Sequence, residues 1–268
     1  MRLKLWLLGV SSVVVLLLAA IFPPIPQPII YHQFADREAL LSIPNFLNVV
    51  SNLAILLSGL VGMLFVWRCY CSPTQQSFVS KAACWPYFIV FFSVAMISFG
   101  SAYYHWMPNN ETLLWDRLPI AIGMTALLAA TLTERVSLRV GLSALPVLMI
   151  LGGASVLYWY WTEQSGAGNL NYYIVVQFYS LLVIVLLSLF FSSYYTRGSD
   201  MYQVIALYAI AKMTETFDQE IYDWGHVVSG HTIKHLLAAV AIYLIVRMLQ
   251  KRCLIDRNKQ TRACRVLL

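Results

Sequence analysis

The chain has 268 residues, of which 60% are hydrophobic and only 11% charged. That leaves too little polar surface to disperse a water-soluble domain of this length. The formal net charge of +6 comes largely from a basic C-terminal tail, which suits anionic lipid headgroups and gives no reason to invoke nucleic acid.

Apolar runs of about 18–20 residues, the length that crosses a bilayer core, recur along the chain without the alternation of barrel strands. In order they are Leu5–Phe22, Phe46–Val66, Trp85–His105, Leu118–Leu132, Gly141–Trp161, Tyr172–Phe191, Tyr202–Phe217 and His231–Leu249. They predict an all-α integral membrane protein with a seven-helix transmembrane core and an additional N-terminal transmembrane helix. Residues 1–22 form the N-terminal segment, 34–249 the seven-helix domain and 250–268 the basic tail. The first run also has the build of a signal segment, but no small-x-small cleavage pattern precedes "FPPIP", which favours a retained anchor. The seventh run is the weakest, because Lys212 and Glu215 lie inside it at a spacing that suits mutual pairing.

Lys and Arg mark alternate connections: Arg2 and Lys4, then Arg68 and Lys81, Arg135 and Arg139, Arg197, and finally the tail from Arg247 to Arg265. The positive-inside rule places these on the cytoplasmic side with both termini. The opposite connections carry mainly acidic residues, among them Asp36, Glu38, Asp116 and Asp218. All five cysteines fall near the cytoplasmic ends, consistent with reduced thiols and no disulfide framework. Trp106, Trp115, Trp224 and the aromatics from Trp159 to Trp161 fall at the outer boundaries, as an interfacial belt would.

Ionisable residues at membrane depth are costly and therefore informative. In "SAYYHWMPNNETLLWDRLP", His105 closes the third run, with Ser101 one helical turn before it, and Asp116 opens the fourth. In "SGHTIKH", His231 and His235 share one helix face at the start of the last run. Ser229 and Gly230 read as the helix entry, and Lys234 as a neighbour turned away. The Lys/Arg pattern brings all these groups to one side of the membrane. Three neutral imidazoles with an open fourth position make the ligand set of a catalytic zinc ion. Asp116 would then hold or deprotonate a water activated by the ion, and Ser101 would donate to a developing oxyanion. Blander roles also fit: Asp116 suits a helix N-cap, and Ser101 suits close helix packing. His32 and His226 lie in outer connections, where solvation accounts for them.

As a set, these motifs resemble the alkaline ceramidase family, which shares a superfamily with adiponectin-type receptors and Per1-type lipid remodelling proteins. The pattern comprises Ser101-x3-His105, Asp116, His231-x3-His235 and N-x2-S-N at Asn48, Ser51 and Asn52. The segments "FADRE", "WDRLP" and "SGHTIKH" look particularly like bacterial ceramidase-like membrane proteins, and the likeness spans about residues 34–249. It implies a zinc-dependent hydrolase of a lipid amide such as ceramide, on the outer side of a membrane (the inner membrane in a bacterium). His105, His231 and His235 would be the ligands, with Asp116 and Ser101 catalytic. Asp36 and Glu38 would be the candidates for a calcium site, although Asn45 stands where the family is acidic. Two other readings stay open: a non-catalytic receptor tied together by zinc, and an esterase or remodelling enzyme using the same site.

Overall fold

All eight expected runs form helices in the computed structural model, which describes residues 2–74 and 76–255. In chain order, α1 (Arg2–Ile21) is followed by a 3-10 turn at Ile29–His32. The short α2 (Phe46–Val50) runs through Ser51 into α3 (Asn52–Cys71), and α4 (Cys84–Trp106), α5 (Asn110–Arg135) and α6 (Leu138–Gln164) come next. A sixth span joins α7 (Asn171–Ile174) through a π turn at Val175–Tyr179 to α8 (Ser180–Phe190). Then come α9 (Asp200–Thr216), the short α10 (Asp218–Asp223) and α11 (Gly230–Lys251). Among the described residues there is no strand, only isolated bridges at Leu40–Ile43 and Tyr195–Leu254.

Seven of these segments are long and apolar enough to cross a membrane, and the chain is an all-α membrane protein. The exception is α9, whose 17 residues include Lys212 and Glu215. It packs along α11, so its charged residues turn toward the bundle. Leu, Ile, Val and Phe side chains stand exposed on the outward faces of α1, α3, α6 and α8, where lipid would meet them. The peripheral helix α1 buries only Ala19. Asn171 ties its end down by donating to the carbonyls of Ala19, Phe22 and Pro23.

The centre of the bundle is the α4–α5 pair, and small residues allow its close packing. At Gly100 on α4, an added Cβ would lie 2.1 Å from Trp115 O of α5. At Gly62 on α3, it would lie 2.2 Å from the Phe91 ring of α4. Helix α5 starts well before the expected apolar run, because Asn109 forms a capping box. Its Oδ1 accepts from Thr112 N at 2.9 Å, while Thr112 Oγ1 accepts from Asn109 N. Asp116 is therefore more than a turn inside the helix, and the N-cap role falls to Asn109.

Two residues expected to mark the cytoplasmic surface are buried instead. Arg252 pairs with Glu134, donates to Ser77 O at 2.8 Å and stacks 4.0 Å over the Tyr195 ring. Arg135 donates to the carbonyls of Ser188, Phe191 and Gly198. These guanidiniums close the end of the bundle opposite the histidines. Cys69, Cys71 and Cys84 are free thiols. Cys264 and the basic tail from Arg257 to Arg265 lie outside the described residues.

Candidate metal centre and its cavity

His105 sits in the last turn of α4, while His231 and His235 sit in the first turns of α11. Ser229 starts α11 by accepting from Thr232 N at 3.2 Å. The N–H of His231, one of the donors a helix start leaves free, goes to Asp218 Oδ1 at 2.7 Å. Asp218 Oδ2 accepts from Ala35 N, so one carboxylate joins the α9–α11 connection to the loop above the site. With the end of α4 and the start of α11 so placed, one ring nitrogen from each histidine lies within 4.8 Å of the others. Among the described residues this is the only group of three or more His, Cys, Asp or Glu so arranged.

The surrounding shell fixes the backbone at the site and one of its imidazoles. Ser51 Oγ lies 2.7 Å from His235 Nδ1, which leaves Nε2 for an ion. Asn45, in the left-handed conformation with φ 48°, donates to His105 O at 2.7 Å. Asn48 Oδ1 accepts from both Ser229 and Thr232 hydroxyls, locking the start of α11 against α2. Phe34 covers the cluster, its ring centroid 4.5 Å from that of His105 and 5.2 Å from that of His231. His105 is 0% exposed and, among the described residues, neither of its ring nitrogens has a hydrogen-bond partner. A buried imidazole without partners is costly. A metal ion bound at one of these nitrogens would satisfy it, so the three-histidine group fits a metal.

Ser101 and Asp116 are both brought to this site. Ser101 Oγ lies 3.5 Å from His235 Nε2. The Asp116 carboxylate has no hydrogen bond or ion pair to another described side chain, and it lines a cavity of about 340 Å³ together with Ser101 and His235. From this polar end the cavity runs between the helices past Ile120, Met124 and Leu127 of α5 and Ala238, Ala241 and Ile245 of α11. Ten residues of α11 at 1.5 Å each give it a length of about 15 Å.

Several polar residues differ from expectation. Lys234 does not turn away: its Nζ lies 2.6 Å from His231 Nε2 and 3.0 Å from Glu215 Oε1. Lys234 lies three positions after His231, so they share a helix face. An ion bound through Nε2 of His231 would require this ammonium to move. Lys212 does pair with Glu215, but both line the cavity rather than serving only as packing. His32 is not simply solvated; its ring bridges Tyr104 Oη and Asn110 Oδ1, each at 3.0 Å, and burial pushes its pKa down. His226 is exposed. Trp106, Trp115, Trp161 and Trp224 stand exposed as a belt would, but Trp159 is buried beneath the Arg117 guanidinium. Asp36 is buried and Glu38 is exposed. Asp36 Oδ1 accepts from Glu38 N, while Oδ2 has no partner, and no second cluster of three ligating groups forms there among the described residues.

No local pattern in the sequence gives a role to Ser51, Asn48, Asn45 or Phe34. The N-x2-S-N pattern flagged two of them without saying what they hold. No family model, curated protein or solved structure matches the chain. The functional reading therefore rests on the chemistry of these residues.

Proposed function

We propose that the protein is a zinc-dependent, membrane-embedded lipid amide hydrolase of the ceramidase type. The observation that carries this reading is one junction. Three imidazoles from two distant helices meet where Ser101 and Asp116 open onto an elongated apolar cavity. The chemistry of this donor set favours zinc over the harder, oxygen-seeking cations. Bound by His105, His231 and His235, zinc would supply a Lewis acid and lower the pKa of water toward about 7.

The chain's own residues then divide the work. The apolar helical walls take an acyl chain and align its carbonyl carbon with the polar end. Ser101 donates its hydroxyl to the carbonyl oxygen as negative charge develops there. Asp116 accepts the proton that the attacking water loses and delivers it to the departing amine. Phe34 shuts out bulk water on the side of the cluster away from the cavity. On the Lys/Arg distribution, both termini face the cytoplasm and the site opens toward the outer leaflet.

Mass spectrometry of acyl amides incubated with the purified protein tests the reading. Fatty acid and free amine should accumulate, and His231→Ala should lose both bound zinc and hydrolysis. Zinc-loaded protein that leaves every lipid amide intact would show the metal to be structural. Cleavage of esters alone would reassign the site to ester chemistry.

A further inference from the structure

The charged residues at the polar end of the cavity do not balance. Arg117, Lys212 and Lys234 line it against only two carboxylates, Asp116 and Glu215. Glu215 is engaged by both ammoniums, one on each oxygen. Arg117 is left without an ion pair among the described residues.

Its guanidinium is nevertheless built in firmly. Arg117 is 5% exposed and packs 4.3 Å over the Trp159 ring, with Tyr173 at 4.9 Å and Tyr31 at 5.4 Å. Nη2 donates to Gln27 Oε1 at 2.6 Å. Gln27 N in turn donates to Glu163 Oε1, so the nearest linked carboxylate is one residue removed from the guanidinium. Nη1 is buried with no hydrogen-bond partner among the described residues. Aromatic faces offset part of the cost of a buried cation, but they do not satisfy an N–H donor. An unfilled donor on a fork-shaped cation is suited to a carboxylate or phosphate, which guanidinium binds bidentately.

Resting on the hydrolase reading above, we propose that Arg117 selects substrates with an anionic headgroup. The preferred substrate is an acyl amide bearing a carboxylate or phosphate on its amine side, rather than a neutral ceramide. Arg117 and Asp116 both line the polar end of the cavity, so the anion that Arg117 holds lies near the scissile bond. The acyl chain runs the other way, toward Leu127 and Ile245. A neutral headgroup would leave both the donor and the surplus positive charge unmatched. In this role Arg117 determines specificity and takes no part in bond breaking.

The test compares three lipids with the same acyl chain: ceramide, ceramide 1-phosphate and an N-acyl amino acid. Wild-type kcat/KM should be at least about 10-fold higher for one of the two anionic lipids, the gain expected from one charge-assisted contact. Whichever is preferred distinguishes phosphate from carboxylate. Arg117→Gln should lower the anionic-to-neutral ratio about 10-fold, mainly through KM. Should that variant fail to fold, Arg117→Lys keeps the charge over the rings, loses the fork and should still lower the ratio. Equal or faster turnover of ceramide by the wild type would overturn the proposal, as would variants that slow all three lipids alike. If no amide is cleaved, the hydrolase reading falls, and the anion site is judged by binding. Hexadecyl phosphate should then raise the thermal midpoint more than hexadecanol does, and Arg117→Lys should reduce that difference. Equal shifts would refute the site.

Discussion

Replacing Gly100 with alanine should damage catalysis while leaving the metal ligands in place. Gly100 precedes Ser101 on α4, and α5 crosses so near that an added Cβ would lie 2.1 Å from Trp115 O and 3.0 Å from Asp116 N. Ordinary contact begins at 3.4 Å, so the two helices must part locally by about 1.3 Å. The obstacle is backbone, which no change of rotamer can relieve. Overpacking of this kind costs about 1–3 kcal/mol of stability. Ser101 and His105 ride on α4 and Asp116 rides on α5, so the separation falls between the groups proposed to act together. A misplacement of about 1 Å can cost about 100-fold in rate. The assay is release of fatty acid by detergent-solubilised protein, normalised to bound zinc. Zinc content should persist, because the three histidines lie on α4 and α11. Gly153→Ala serves as the control, since its Cβ would meet only Leu118 Cδ1 at 3.8 Å; the rate should be unchanged and the thermal midpoint no lower. A Gly100→Ala protein with the wild-type rate and thermal midpoint would refute the close approach and the need for this register.

Ser51→Ala removes the contact that orients His235, and zinc affinity measured by chelator competition should fall about 10- to 100-fold; unchanged affinity would deny Ser51 that role. Glu215→Gln leaves two ammoniums sharing a neutral amide. Breaking a buried pair costs about 3–5 kcal/mol, and the partial exposure of Lys212 reduces this to about 2–3 kcal/mol. Thermal unfolding should show that loss, and an unshifted midpoint would contradict the buried network. Asp36 gives a pH signature: burial, with Glu38 and Asp218 nearby, raises its carboxyl pKa above the ordinary range. The folded state thus favours the protonated form and is penalised as pH rises. Asp36→Asn keeps the acceptor for Glu38 N–H, so the thermal midpoint should rise at about pH 7.5, and the gain should fade below about pH 4. A lower midpoint at neutral pH would reveal a cation held by that carboxylate.

The spans were legible in the sequence because bilayer length imposes long apolar runs, and the histidines because helical spacing puts i and i+4 on one face. The start of α5 was hidden: the residues from Asn110 to Arg117 precede the apolar run, yet a capping box folds them into the helix, where Asp116 and Arg117 line the cavity. Trp159 passes for an interfacial residue until Arg117 is seen above it. Arg135 and Arg252 satisfy the positive-inside count equally well exposed or buried. Their carbonyl, carboxylate and aromatic partners lie far away in sequence, and no local pattern reports them. The same holds for Ser51 beside His235 and Asn45 beside His105. One-dimensional spacing finds residues that share a helix, whereas pairing between helices requires the packed bundle.

Asp116→Asn measured for zinc content and ceramide-type amide hydrolysis on the same purified sample tests the central claim most directly. The variant should hold one zinc per chain, as the wild type does, with turnover lost because the proton acceptor is gone. Normal hydrolysis by this variant, or a wild-type protein that holds no zinc after purification in its presence, would contradict it.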